Sequence, residues 1–330
     1  MGTAHAVLRE DVGVLRIHDL LLRPNFLLIE NGTGAFSIGE SSFALRWELE
    51  NRFSGVIRLG PRTLLNPLAR YSTTVDEDIV AVEAFAEMNH PYGRLRLGRV
   101  PVEFGYEGQQ WERTLVFPRS LLFSKRAMML RDVGGSYLIH QNNYYTGFVI
   151  HNGESDTDKD GRIWFTSRWG YANDKFEIGA TGQTGSTKPT ATSTSADTLA
   201  GVDPTQEALW RLGGIYGALH KKTWEWVLEY YIGEREQSTN IGKFMAGHLD
   251  ISVEFTRYFS AHFRYDSYDP NLSQFGDLQR NVSLGLEWSN KTHSSNLIIM
   301  GTKVFEEKHQ IPNDELRLIW SLSPSGIVRF

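Results

Sequence analysis

The sequence predicts an all-β fold, a closed transmembrane barrel of about sixteen antiparallel up-and-down strands. Three observations carry this reading. Residues of alternating character recur in runs of about eight to twelve, so that each run has one apolar and one polar face. Aromatic residues gather near the ends of the apolar faces (Trp224, Trp288, Trp320, Phe259, Tyr265), where the edge of a lipid layer would hold them. The breaks between runs alternate between short and long, which a soluble β-sandwich has no reason to do.

Composition narrows the choice. The chain has 330 residues, 41% of them hydrophobic and 12% aromatic, with nine Trp and a net charge of −5. No window approaches eighteen uninterrupted apolar residues, which excludes a helical membrane protein. With no cysteine there is neither a disulfide framework nor a thiolate metal site. No basic stripe interleaved with aromatics suggests nucleic acid. The start MGTAHAVLRE lacks a basic region followed by an apolar one, so any secretory signal is expected to have been removed.

In chain order, the run FALRWELEN sets Phe43, Leu45, Trp47 and Leu49 against Arg46, Glu48 and Glu50. WEWVLEYYI sets Trp224, Trp226, Leu228 and Tyr230 against Glu225 and Glu229, and HLDISVEFT repeats the pattern with Leu249, Ile251, Val253 and Phe255. FSAHFRYD, NVSLGLEW and ELRLIW follow the same period. Strands are predicted at 24–31, 43–52, 53–61, 79–89, 93–102, 134–142, 144–152, 161–171, 175–185, 208–220, 224–234, 246–257, 259–268, 279–289, 294–306 and 314–322. Long connections fall at 32–42, 62–78, 103–133, 153–160, 186–207, 235–245, 269–278 and 307–313, with short turns between them.

A strand protein in hydrocarbon has to close, and strands of this length suffice to cross. Short turns then belong on the periplasmic rim and long loops outside. Residues 24–330 are expected to form a single transmembrane barrel domain, and 1–23 a periplasmic N-terminal segment or an extra strand. The stretch 185–206, nearly all Ser, Thr, Ala, Gly and Pro, reads as a mobile external loop. The chain ends on Phe330, an aromatic of the kind that barrel-assembly machinery commonly reads.

The interval 103–134 is the longest break in the first half of the chain. Its large apolar residues (Trp111, Leu115, Phe117, Leu121, Leu122, Phe123) argue against disorder and for a loop folded onto something. It lies between the fifth and sixth predicted strands. Around it, EAFAEMNHPYGRLRLGRVPVEFGYE, RDVGGSYL and YTGFVIHNGESDTDKDGR resemble the phosphate-selective porin O and P family over roughly residues 40–180. The family's GRxxxPFG-like element corresponds to Gly98-Arg99-Val100-Pro101-Val102-Glu103-Phe104-Gly105, with the proline displaced. The resemblance implies a trimeric sixteen-stranded channel, with this interval as a constriction loop folded into the barrel.

The loop carries Arg113, Arg119, Lys125, Arg126 and Arg131, with no acid among residues 113–131. In a narrow lumen such a cluster favours anions. The bland alternative is that these side chains tie the loop to carboxylates of the wall. Arg46, Arg58, Arg94 and Arg96 are expected to join the cluster from the lumen faces, along with Arg162, Arg168, Arg211, Arg264 and Arg317. The same faces bring Glu48, Glu50, Glu83, Glu87, Glu177, Glu225, Glu229, Asp250, Glu254 and Glu287. That mixture predicts a general or weakly anion-selective pore rather than a dedicated phosphate channel.

DTDKDG supplies Asp156, Asp158 and Asp160 as the first half of a calcium loop. Ser167 stands where the closing Glu is needed, so only weak divalent binding is expected. His248, Asp250 and His262 read as a satisfied lumen network rather than a metal or catalytic site. The leading expectation is a non-enzymatic, cofactor-free outer-membrane porin for passive diffusion of ions and small hydrophilic solutes, in contact with membrane lipid and lipopolysaccharide and assembled as a homotrimer. A barrel enzyme acting on lipid, and a closed barrel with a surface or adhesion role, remain open alternatives.

Overall fold

The computed structural model describes residues 14–323 except 31, 33, 50–51, 66–77, 126, 154–159, 189–205, 238–239, 291, 293 and 308–312. The strands are β1 (Val14–Leu21), β2 (Asn25–Ile29), β3 (Ala35–Ser37), β4 (Ser42–Leu49), β5 (Phe53–Pro61), β6 (Ile79–His90), β7 (Gly93–Pro101), β8 (Arg131–Gln141) and β9 (Tyr144–His151). They continue as β10 (Trp164–Ala172), β11 (Phe176–Thr187), β12 (Ala208–Lys221), β13 (Trp224–Gln237), β14 (Asn240–Thr256), β15 (Phe259–Asp269), β16 (Gln279–Ser289), β17 (Ser295–Glu306) and β18 (Glu315–Leu322). All eighteen belong to one sheet. From β4 to β18 each strand pairs antiparallel with the next.

Closure falls to the first four strands. β1 pairs with β4, β2 pairs with β3, and β2 pairs on its other side with β18 from Ile29↔Glu315 to Asn25↔Ile319. Between β1 and β2 the chain changes partner: Leu22 exchanges two backbone hydrogen bonds with Leu322 (2.9 and 2.7 Å), and Pro24, which has no N–H to give, accepts from the Trp320 amide at 3.1 Å. A Cβ on Gly39, at φ +59°, would lie 2.1 Å from the Arg23 carbonyl, so this close approach needs glycine. Counted around the ring, β1–β2 act as one broken strand and β3–β4 as another, which leaves sixteen positions in the wall. The interval 102–130 then follows the fifth position and precedes the sixth.

Several boundaries differ from the pattern-based expectation: β3 lies inside the predicted break 32–42, β8 begins at Arg131 within the predicted break 103–133, and two further differences have a clear cause. The wall begins at Val14, ahead of residue 24, with the extra strand that was one of the two expectations for 1–23: the VLRIHDLL run pairs with β4, with a bulge at His18, before the Pro24 kink. No long loop occupies 235–245: β13 runs to Gln237 and β14 starts at Asn240, so the strict alternation of short and long breaks fails there. The polar residues Glu234 to Gln237 stay paired as strand beyond the apolar band, so their polarity marks the end of the band and not a break in the strand.

The side chains pointing outward form a continuous exposed apolar surface, including Ile57, Leu97, Ile150, Ile215, Leu228, Leu284 and Leu318. A water-facing wall of this kind would be an aggregation hazard, whereas lipid supplies its partner. Near the short turns an aromatic girdle runs through Tyr92, Tyr144, Phe176, Trp224, Phe259 and Trp288. No helix is long and apolar enough to cross a membrane among the described residues. The main apolar core lies inside the barrel. Phe104, Leu121, Leu122, Phe123, Met128 and Leu130 of the loop pack on Trp164, Trp210, Tyr231, Phe244 and Tyr268 from the wall. Each such side chain, fully buried, stabilises the docked loop by about 1.5–3 kcal/mol.

Candidate functional site

The loop turns inward where β7 ends on Pro101, and its course is set by buried polar anchors. Gly105 has φ +67°, and a Cβ there would sit 1.9 Å from the Tyr231 hydroxyl and 2.4 Å from the Glu229 carboxylate. Only glycine lets the backbone come this close to β13. Glu229 then accepts hydrogen bonds from the amides of Tyr106 (2.9 Å) and Glu107 (2.6 Å). After two short helical turns, Glu107–Gln109 and Glu112–Thr114, the Leu121 amide that opens helix α1 (Leu121–Ser124) donates to Asp266 at 2.7 Å. Arg264 forks onto Asp250 with two 2.5 Å bonds and donates to the Pro118 carbonyl at 2.6 Å.

On the far wall, Arg23, buried at the β1–β2 kink, donates to the carbonyls of Glu112 and Leu115 and pairs with Glu40 at 2.8 Å. Trp111 lies under the Arg58 guanidinium, 4.5 Å from its ring centroid. Phe117 packs on Ile298, Met300 and Ile319 of β17 and β18. The loop is therefore tied to walls on opposite sides of the lumen.

Two loop carboxylates hold its cations. Glu112, buried, pairs with Arg131 at 2.8 Å and Arg119 at 3.2 Å, and Arg131 also reaches Glu83 at 2.9 Å. Burial pushes the Glu112 pKa up, but Arg131 and Arg119 outweigh it and hold the group well below the usual carboxylate range. Glu107 accepts two bonds from the Ser120 amide and pairs with Arg264 at 3.1 Å. Against burial, Arg264, His248 and Arg119 lower its pKa to about 2. These are buried ion pairs backed by further hydrogen bonds from Ser120 and Arg131, which offset part of the desolvation cost.

Between the loop and the inner faces of β6 to β10 lies a cavity of about 310 Å³. Arg94, Arg96, Arg119, Arg131 and Arg168 line it, with His140, against Glu83 and Glu103. Glu103 bridges Arg96 (3.1 Å) and Arg168 (2.6 Å), and Glu87 pairs with Arg96 and Arg46, each at 2.9 Å. Arg94 is the loosest of these cations: its nearest carboxylate, Glu87, is 3.6 Å away, and 37% of its side chain is exposed.

The residues singled out in the sequence thus separate by place. Arg119 and Arg131 are buried in the Glu112 network, and Arg58 is buried between Glu83 (3.3 Å) and Asp19 (2.8 Å). Arg94 and Arg96 line the cavity, while Arg46 stands beside them on the wall, bound to Glu48 and Glu87. Arg113 is half exposed, 3.8 Å from Asp19. Lys125 is partly buried, and burial lowers its pKa against the opposing pull of Glu306. Arg126 lies outside the described residues, as do Asp156, Asp158 and most of 185–206. Asp160 accepts the amides of Arg162 (2.8 Å) and Lys188 (2.7 Å). His262 pairs with Glu287 at 3.1 Å, and His248 stands 3.4 Å from Glu229.

Arg211 corrects the lumen inventory. It faces outward and pairs with Glu234 at 2.5 Å, because Trp210, Leu212 and Tyr216 take the inward positions beneath the loop. Sequence reasoning missed Arg23, Glu107 and Glu112 as anchors. The one available signal was two acids at 107 and 112 just ahead of a basic run in an apolar loop.

No family model matches the chain, and no curated protein sequence matches it. Solved structures do match. The outer-membrane protein OmpT of Vibrio cholerae has a TM-score of 0.70 at 11% identity, covering 96% of this chain and 100% of that one. The outer membrane channel DcaP of Acinetobacter baumannii has 0.68 at 9%, covering 97% and 100%. An anion-selective porin from Comamonas acidovorans has 0.66 at 11%, covering 94% and 99%. At these identities the likeness establishes the porin-type barrel fold. The resemblance to the phosphate-selective family rests on its motif residues alone.

Proposed function

We propose that the protein is an outer-membrane channel for passive diffusion of small hydrophilic solutes, biased toward anions and working as a homotrimer. The observation that carries this reading is the cavity beside the inward loop, where five arginines face two glutamates. Low-dielectric walls focus the field of the unneutralised part of that charge, and the exposed Arg94 stands nearest to a free anion site. Glu83, Glu87, Glu103 and Glu112 neutralise most of the other cations, which supports a bias rather than a phosphate-specific ladder. The structures of an anion-selective porin and of an outer membrane channel with the same barrel are consistent with it.

The test is single-channel recording across a salt gradient. Anion-biased current steps are expected, and Arg94→Glu is expected to move the reversal potential toward cations. A folded preparation that never conducts would overturn the channel. It would favour the second reading, a closed barrel with a surface role, which the anchoring of the loop on opposite walls supports.

A further inference from the structure

The inward loop leaves a second cavity in the lumen, of about 370 Å³, against β16 to β18. Loop residues 113–116 form one side of it, and Glu287, Asn296, Ser321 and Ser323 bring the polar groups of the other. It shares no lining residue with the arginine-lined cavity. Asn296 pairs with Ser321 across β17 and β18, and Ser323 follows two residues later on the same face. Asn296, Ser321 and Glu287 each lie within two residues of a strand end at the short-turn rim. The cavity is therefore on the short-turn side of the loop.

Its polar side chains differ from those of the rest of the lumen in being neutral and unengaged. The side chains of Asn296, Ser321 and Ser323 make no hydrogen bond among the described residues, and the Asn296 carboxamide oxygen is buried without a partner. A buried amide in that state is unfavourable until a donor reaches it. Two of the three lining charges are already held: Arg23 by Glu40 and the carbonyls of Glu112 and Leu115, and Glu287 by His262 at 3.1 Å. Arg113 is the loose one, 3.8 Å from Asp19 with half of its side chain exposed. Neither an anion nor a cation meets a field of one sign here. Hydroxyl and carboxamide groups both donate and accept, which matches a solute whose own hydroxyls do both. Val116 and Ile298 add an apolar patch that suits the C–H face of a sugar ring.

We propose that this cavity binds an uncharged polyhydroxylated solute, a sugar of one or two rings. Its volume is near the lower end of the range for small-molecule sites, about 300–1,000 Å³. The sugar hydroxyls would bond to Asn296, Ser321 and Ser323, and the forked guanidinium of Arg113 would donate to two neighbouring hydroxyl oxygens. The inference deepens the channel reading and rests on it, because solutes must reach the lumen. It gives the lumen two separate sites, an arginine-lined one for anions and a neutral one for sugars.

The experiment adds maltose to the folded barrel in lauryldimethylamine oxide, a detergent without a sugar head group, and reads binding by saturation-transfer difference NMR. Maltose is expected to bind, roughly tenfold more weakly to Asn296→Leu and to Ser323→Leu, the loss of one good hydrogen bond. Binding to Arg94→Glu, across the loop, is expected to be unchanged. Neither leucine removes an internal hydrogen bond, so both variants should fold as the parent does. No binding to the parent, or binding unchanged in both leucine variants, would overturn the proposal. Loss of binding in Arg94→Glu would also overturn it, by placing the sugar among the arginines. Conductance of the same preparations separates the two readings. A barrel that binds maltose without conducting defeats the channel alone, and one that conducts without binding maltose defeats this site alone.

Discussion

The two halves of the inner wall are built on opposite principles. Beneath the loop, β10 to β15 present large apolar side chains inward (Trp164, Trp210, Tyr231, Phe244, Tyr268), and two of their carboxylates, Glu229 and Asp266, accept loop amides. Facing it, β4 to β8 line the remaining cavity with arginines and glutamates, most of them paired with one another. Within that half the same kind of side chain serves two ends: Arg131 is a strut, buried between Glu83 and Glu112, while Arg94 keeps a third of its surface free. Charge in a lumen therefore says little about selectivity until its partners are known.

The sharpest way to break this contrast is to remove the strut. Glu112→Gln leaves Arg119 and Arg131 buried without their shared carboxylate, and breaking a buried pair from one side costs about 3–5 kcal/mol. The backbone ladder of the wall does not depend on it. The expected outcome is a folded, heat-modifiable barrel whose loop undocks, seen as higher and noisier single-channel conductance. Conductance identical to the parent would show that the loop is held elsewhere.

Acid tests the same struts without mutation. The Glu107 pKa lies at about 2 in the docked loop, against about 4.5 when free. A depressed carboxylate pKa contributes stability that is fully present above the free value and is lost as pH falls through the docked one. For this fully buried group the contribution is about 3 kcal/mol, and Glu112, also depressed, adds in the same direction. Conductance should hold steady from pH 7 to about 5 and rise between about 4.5 and 2. A flat record over that lower interval would refute the assignment.

On the open half, Arg94→Glu reverses one charge beside the path. Two units of charge acting on an ion about 6 Å away through water amount to roughly 1.4 kcal/mol, or about tenfold in the cation-to-anion permeability ratio. The same exchange at Arg131 should alter folding or loop docking first. If Arg131→Glu changed selectivity alone, the division between struts and path would be wrong.

Much of the barrel was legible in the sequence because a lipid-facing strand must alternate, and period two survives in any window. FALRWELEN and WEWVLEYYI point as their patterns say. The reading failed where the inside is apolar too. At Trp210, Arg211 and Leu212 the rule that apolar means outward put Arg211 in the lumen, because nothing local reveals that a loop more than eighty residues earlier covers that wall. The break at Leu22 to Pro24 hid the first strand for a similar reason, since the exchange of partners from β4 to β18 is a property of closure. The loop's inward course was suggested by its length and apolar content, but its anchors were not: Glu229 and Asp266 are strand residues whose pairing to loop amides depends on register across the lumen.

The smallest expected effect separates the two kinds of loop arginine. Arg113 and Arg119 stand six residues apart in one basic run and looked alike in the sequence. Arg113 has half of its side chain exposed and only Asp19 nearby, at 3.8 Å. An exposed pair of this sort is worth about 0–1 kcal/mol, so Arg113→Ala should leave thermal stability within about 0.5 kcal/mol of the parent and shift selectivity slightly toward cations. Arg119 donates to the carbonyls of Glu107 and Gln110 as well as to Glu112, so Arg119→Ala removes three hydrogen bonds at once, leaves Glu112 to Arg131 alone, and should loosen the loop measurably. Comparing the conductance and melting of the two variants asks one question of neighbouring residues, and similar behaviour would mean that burial does not decide which loop cations act as struts.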